Sequence, residues 1–398
     1  MARKSTTVFL QTEKIEVEKA ICFGLGVGRD QTEEVLSRSL DELAELARSC
    51  GAEVLGTMAQ RRNRIDPSTY LGQGKVEELK DLAEALGANL LICDDELSPA
   101  QLRNLEDICK MKVIDRSLLI LDIFARRAKS SEGKLQVELA QQAYLLPRLQ
   151  ASVGFHSRTG GGIGTRGPGE TIMDRDRRHI RQRMTHLRKE LKKLAERRNR
   201  ERQQRRDRSQ VFSVAVVGYT NAGKSSLVNV LTQAKLYTED QVFATLDPAI
   251  RSLHLPEVQQ DVVLTDTVGF IRKLPHHLVE AFKSTLEEAS HAQLILHVID
   301  ASDPQAFDCY QVCESLLNEL DAEKIPKIVV LNKMDLTEPE SLDPELLASL
   351  HSHRADEVIY TSVVEKQGLD ALRARIAERL IELGATPSES DEANLCAY

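Results

Sequence analysis

The sequence predicts an α/β protein built in three parts: an N-terminal α/β domain, a long helical hairpin with a glycine-rich tip loop, and a second, doubly wound α/β domain. Three observations carry this expectation. At both ends of the chain, short apolar runs alternate with amphipathic stretches, the pattern of parallel strands joined by helices. Between them Ile180, Met184, Leu187, Leu191 and Leu194 recur at spacings of 4, 3, 4 and 3, the seam of a paired helix. A chain of 398 residues is also too long for one ordinary core.

Residues 1–132 supply the first domain. Strands are expected over 53–56 and 89–93, and helices over 33–50, 75–86 and 98–109. Tyr70-Leu71-Gly72-Gln73-Gly74-Lys75 opens one of these helices. A GxGK at a helix start could hold a phosphate, but so short a pattern is better read as a tight turn.

Residues 133–210 supply the hairpin. Its first helix carries Leu135, Leu139, Leu146, Leu149 and Val153, is interrupted at Gln142 and is disturbed by Pro147. Its second, over 172–208, spans roughly 55 Å if continuous. The loop between them places six of the chain's 21 glycines within ten residues: Gly160, Gly161, Gly162, Gly164, Gly167 and Gly169. Arg158, Arg166 and Pro168 are interleaved with them. Glycine lets backbone approach another molecule closely, and arginine pairs with phosphates or stacks on bases. A plain linker between two helices could be far shorter and needs no arginine, so the tip is expected to contact RNA or a partner.

Residues 211–383 supply the third part, with strands expected over 212–217, 262–264, 294–299, 327–331 and 358–360. Residues 384–398 are acidic, hold little apolar content and are expected to be disordered.

Composition narrows the function classes. Hydrophobic residues at 41% and charged residues at 29% fit a globular chain and exclude wholesale disorder. There is no apolar run of 18 residues, so no transmembrane helix or membrane insertion is expected. Met1-Ala2-Arg3-Lys4-Ser5 leads into no apolar stretch of the kind that precedes secretion. The seven cysteines are scattered, without CxxC or zinc spacing, and read as reduced thiols of a cytoplasmic protein. The net charge of −8 is uneven: residues 172–208 hold 16 Lys or Arg against 6 Asp or Glu, a net +10 that leaves −18 on the rest. An acidic body with one basic stretch points to a polyanionic partner.

The third part carries the chemistry. Gly218-Tyr219-Thr220-Asn221-Ala222-Gly223-Lys224-Ser225 fits GxxxxGK[ST] and lies after a strand and before a helix that takes in Ser226. Backbone amides of such a loop cradle phosphates; Lys224 would reach the outer phosphates and Ser225 would ligate Mg²⁺. Asp266-Thr267-Val268-Gly269 ends an apolar run, where Asp266 can hold Mg²⁺ through water and the Gly269 amide can bond the terminal phosphate. Asn332-Lys333-Met334-Asp335 follows the next-but-one strand. A carboxylate at Asp335 can accept from N1–H and N2–H₂ of guanine, whereas adenine would leave it unpaired. Thr361, Ser362 and Val363 can close over the base edge. In Phe243-Ala244-Thr245, Thr245 is the candidate to complete the Mg²⁺ shell when the terminal phosphate is present. Together these motifs predict a P-loop GTPase domain that binds GTP/GDP with Mg²⁺. Phe270 stands where many GTPases carry a water-positioning Gln, so hydrolysis by the free chain should be slow. Asn221 is a candidate to help hold K⁺ in the part an arginine finger plays elsewhere.

The chain resembles the HflX family of translational GTPases along nearly its whole length. The resemblance rests on GKLQVELAQ at 133–141, Leu146-Pro147-Arg148-Leu149, GGGIGTRGPGET at 160–171, Asp176-Arg177-Arg178 and the nucleotide motifs. One departure is Ile172-Met173-Asp174-Arg175, where a Gln-Leu-Glu-like sequence is expected. The resemblance implies a cytoplasmic GTPase that binds the large (50S) ribosomal subunit and splits stalled or idle 70S ribosomes; a monomer is expected. It also implies a tip that meets ribosomal RNA near the peptidyl-transferase centre. The residues alone leave a second class open, a GTP-switched binding module for a protein partner that docks on the leucine seam without RNA contact.

Overall fold

The computed structural model describes residues 17–28, 32–156, 172–208, 211–232, 243, 249–273, 275, 289–350 and 357–388. They form two compact units, Met1–Leu119 and Ile120–Tyr398.

The first unit is a four-stranded parallel sheet in the order β2-β1-β3-β4, with β1 Lys19–Val27, β2 Glu53–Arg62, β3 Leu90–Cys93 and β4 Lys112–Asp115. Helices α1 Glu33–Ser49, α2 Gln73–Leu86 and α3 Pro99–Cys109 connect the strands. Each helix has a local start signal. Thr32 caps α1 by accepting from the Val35 amide, and Ser98 forms a capping box with Gln101 ahead of Pro99. Gly72 caps α2, and its amide donates to Gln60 Oε1 at 2.9 Å, so the GxGK segment is a turn into the helix. Two strands went unforeseen. β1 reads as a loop because Gly24 and Gly26 interrupt it; a Cβ at Gly24 would meet Asp94 and Leu40 at 3.2 Å. β4 runs straight into α4, Arg116–Arg127, without a turn residue, because the Asp115 carboxylate accepts the Leu118 amide and starts the helix itself.

The buried polar centre of this unit is Asp94, fully shielded at the end of β3. It accepts from Ser39 Oγ at 2.6 Å and from Arg116 at 2.9 Å, and Arg116 also reaches Glu42 at 3.0 Å.

In the second unit, α5 Ser131–His156 and α6 Ile172–Arg208 pack against each other as antiparallel partners. Arg183 bonds both carboxylate oxygens of Glu138, and Arg198 pairs with Glu132, which sets early α5 beside late α6. The α6 seam is the expected one, with Met184 and Leu187 buried. On α5 the buried stripe is Val137, Ala140 and Tyr144, while Leu135, Leu139, Leu146 and Leu149 are half-buried at its flanks. α5 also runs through Gln142 and Pro147 without a break.

The rest of the unit is a six-stranded sheet in the order β10-β9-β8-β5-β7-β6. The strands are β5 Phe212–Gly218, β6 Ala249–Leu253, β7 Val262–Asp266, β8 Leu294–Asp300, β9 Lys327–Asn332 and β10 Val358–Tyr360. All pairings are parallel except that of β6, an antiparallel edge strand. Its exposed Arg251 and Ser252 hide it from a reading based on apolar runs. Helices α7 Lys224–Thr232, α8 Ala306–Glu319, α9 Pro344–Leu350 and α10 Leu369–Glu382 cover the sheet, with Leu372, Ile376 and Leu380 on one core and Tyr310 and Leu346 on another. Residues 384–388, part of the segment expected to be disordered, are held to the domain: the Gln259 amide donates to the Thr386 carbonyl and the Ser388 amide to the Glu257 carbonyl. Residues 389–398 lie outside the described residues. No helix among the described residues is long and apolar enough to cross a membrane.

Arg116→Ala would leave the Asp94 carboxylate buried without its guanidinium. Breaking a buried pair in this way costs about 3–5 kcal/mol, so urea unfolding should show a lowered midpoint with an unchanged slope.

Candidate nucleotide site

The site begins where β5 leaves the sheet. Gly218 has φ +152°, and a Cβ there would stand 2.1 Å from the Val298 carbonyl oxygen, so only glycine passes. The loop turns through Asn221 at φ +61° and Gly223 at φ +89° and enters α7 at Lys224. A side chain at Gly223 would meet Asn332 Nδ2 at 2.3 Å. Ala222 is buried beneath the loop, and Ser226 sits half-buried in the first turn of α7. Lys224 Nζ donates to the Tyr219 carbonyl at 2.6 Å. Burial pushes the Lys224 ammonium below its usual range, with Asp266 opposing the shift.

Asp266 ends β7 beside this loop. Ser225 Oγ donates to Asp266 Oδ2 at 2.6 Å, which joins a hydroxyl and a carboxylate of the kind hard cations take. Thr267 is buried and spends its hydroxyl on the Val216 carbonyl at 2.8 Å; Val268 is buried as well. A Cβ at Gly269 would lie 2.9 Å from Thr220 Cγ2 and 3.0 Å from Lys224 Nζ. The Phe270 ring is buried.

The far side is built on the ends of β9 and β10. Asn332 Nδ2 donates to the Ala222 carbonyl at 3.0 Å, and Thr361 Oγ1 donates to Asn332 Oδ1 at 3.2 Å. The Met334 amide donates to the Thr361 carbonyl at 3.1 Å. Ser362 Oγ donates to Asp335 Oδ1 at 2.6 Å, and Val363 packs partly against the core. Lys333, at φ +63°, sends its ammonium to Asp300 Oδ2 at 2.7 Å. Residues 218–226, 266–269, 332–335 and 361–363 thus follow the carboxyl ends of β5, β7, β9 and β10, the edge at which open parallel sheets take ligands. Phe243 is placed differently: its ring is buried edge-on against Phe124 of α4, centroids 4.7 Å apart, so the side chain is used in packing. Ala244 and Thr245 lie outside the described residues, as do Arg158, Gly160, Gly161, Gly162 and Arg166 of the tip.

Sequence reasoning missed Asp300 and its partner Ser302, although Asp300 ends a strand as Asp266 does. It also missed the Tyr219 hydroxyl, which accepts the Arg272 amide at 2.9 Å; a side chain bonded to backbone leaves no pattern in sequence.

A phosphate loop between strand and helix, an acidic residue on the neighbouring strand and an NKMD turn tied back to that loop define a P-loop GTPase. Three family models match in order: "GTP-binding GTPase N-terminal" over 37–125, "GTP-binding GTPase Middle Region" over 127–205 and "50S ribosome-binding GTPase" over 213–333. GTPase HflX of Caldanaerobacter subterraneus subsp. tengcongensis is 52% identical over 344 residues, 86% of this chain and 77% of the relative. GTPase HflX of Escherichia coli K12 is 43% identical over 349 residues, 88% and 80% of the two chains. The crystal structure of SsGBP in complex with GDP aligns with TM-score 0.50 at 25% identity, covering 92% of this chain and 99% of that one. The chain belongs to the HflX family of GTPases, and it binds guanine nucleotides.

Asp335→Asn would turn one acceptor of the carboxylate into a donor facing guanine N2–H₂. GTP affinity should fall about 10- to 100-fold, the worth of a hydrogen bond to a charged group, while XTP affinity rises. Parallel titrations of both proteins with GTP and XTP check this, and an unaltered GTP preference would contradict the role of Asp335.

Proposed function

We propose that this chain splits stalled or idle 70S ribosomes by binding the large subunit, and that it hydrolyses GTP to GDP and phosphate in the course of that work. The observation that carries the reading is α6. Its seam is held against α5, while Arg181, Arg188, Lys189 and Lys192 stand exposed along the helix. Such a row suits a phosphate backbone. A GTPase model described as binding the 50S ribosome covers the nucleotide domain that follows.

In this reading residues 1–132, 133–210 and 211–383 act as body, arm and nucleotide domain, with 384–398 as a tail. The amides of Gly218 to Ser226 and the Lys224 ammonium bind the phosphates. The Gly269 amide bonds the terminal one. Asn332, Lys333, Met334 and Asp335 hold the base with Thr361, Ser362 and Val363. The hydroxyl of Ser225 beside the Asp266 carboxylate fits Mg²⁺, which these residues and Thr245 would hold; when bound, the ion neutralises charge on the phosphate oxygens. Asn221 helps hold K⁺ beside the same phosphates. Phe270 cannot orient the attacking water, so the large subunit supplies or orders the missing group. Arg158, Arg166 and the glycines Gly160, Gly161 and Gly162 meet ribosomal RNA near the peptidyl-transferase centre.

Replacing Arg158 and Arg166 with Ala, or shortening the loop, should leave GTP binding unchanged while 70S dissociation on sucrose gradients is lost. Full splitting by the loop-shortened protein would reduce the tip to a linker. Steady-state GTP turnover should rise on adding large subunits and be faster in K⁺ than in Na⁺; fast turnover by the free chain contradicts the first point and equal rates in the two salts the second. Subunit binding should also weaken steeply as salt rises, whereas docking of a protein on the apolar seam would be nearly indifferent to it.

A further inference from the structure

The phosphate loop and the segment after β7 are joined through backbone and side chain together. The Phe270 amide donates to the Gly218 carbonyl at 3.1 Å, and the Thr220 amide donates to the Phe270 carbonyl at 2.8 Å, which makes a parallel bridge between Tyr219 and Phe270. The Tyr219 phenol then accepts the Arg272 amide at 2.9 Å, and the Arg272 guanidinium reaches Asp308 of α8 at 2.9 Å. Lys224 completes the closure by donating to the Tyr219 carbonyl at 2.6 Å. Two donors of the kind a phosphate loop offers to a polyphosphate, the Thr220 amide and the Lys224 ammonium, are therefore already engaged by carbonyls of the chain itself.

We propose that Tyr219 is a positioning residue, a latch whose hydroxyl holds residues 269–272 against the phosphate loop and thereby favours GDP over GTP. The proposal rests on the reading of the Gly269 amide as the donor to the terminal phosphate. GDP lacks that phosphate and makes no demand on Gly269. GTP needs Gly269 to present its amide to the terminal phosphate, and that movement draws the adjoining Phe270 amide off the Gly218 carbonyl and parts the Tyr219–Phe270 bridge. The Tyr219 hydroxyl opposes that parting from outside the loop, because its bond falls two residues beyond Phe270. Asp308 reinforces it through the Arg272 side chain.

Tyr219→Phe removes the hydroxyl and keeps the ring. The full-length protein and this variant are titrated with GDP and with a non-hydrolysable GTP analogue, and hydrogen exchange is followed at the Arg272 amide in the GDP complex. The affinity ratio of the GTP analogue to GDP should rise roughly three- to tenfold, the worth of one hydrogen bond, and the Arg272 amide should exchange faster. Asp308→Asn should move the ratio in the same direction by less. An unchanged ratio in Tyr219→Phe, with both nucleotides still bound, overturns the latch even if exchange speeds up, because the hydroxyl would then be merely structural. Failure of the wild-type chain to bind GDP would overturn the reading of the site itself and the latch with it.

Discussion

The nucleotide site depends on the way β5 leaves its sheet. The strand lies between β7 and β8, parallel to both, and its last residue passes beneath the Val298 carbonyl with no room for a Cβ. That crossing fixes where the phosphate loop starts and aims its amides along the first turn of α7. Because the neighbouring strands run in the same direction, Asp266 and Asn332 arrive at the same edge without any loop having to carry them there. Asn332 then closes the arrangement, with one end of its amide on the Ala222 carbonyl and the other accepting from Thr361. The phosphate loop and the NKMD turn are thus braced by one side chain.

The first unit solves a different problem with similar means. Its sheet is also parallel and its strand ends are also polar, and there the central carboxylate, Asp94, is wholly shielded from water. Ser39 and Arg116 bond the buried Asp94 and Arg116 also reaches the half-buried Glu42, while the Asp115 carboxylate divides itself between the Leu97 and Leu118 amides. Buried charges of this kind are tolerated only when paired.

The nucleotide domain was legible in the sequence because its motifs are short, contiguous and set at strand ends. The residues 358–360 predicted as a strand are β10 to the residue, and the run at 212–217 is one residue short of β5. What escaped was structure made by contacts distant in sequence. Gly24 and Gly26 look like loop residues, and only the close approach of Asp94 explains why a strand tolerates Gly24. The α5 leucines advertised a seam that Val137, Ala140 and Tyr144 occupy, because a helix face is wide enough for the buried stripe to fall one residue aside of the larger side chains. Phe243 sits two residues before Thr245 in a segment expected to line the nucleotide; its partner Phe124 is more than a hundred residues earlier, and no local pattern announces such a pair.

Helix α6 repels itself. Arg188 and Lys192, Lys189 and Lys193, and Lys193 and Arg197 are like charges one turn apart, each pair costing about 0.2–0.5 kcal/mol in an isolated helix. Glu190 of the same helix relieves part of this by pairing with Lys193, and Glu138 and Glu132 of α5 neutralise Arg183 and Arg198 on the inner side. A polyanion laid along the outer side would relieve the rest, and whatever stabilises a folded element by binding it is, by the same equilibrium, bound more tightly by the folded form. The arm and its polyanion would then stiffen each other: most rigid when engaged, and readiest to fray when released.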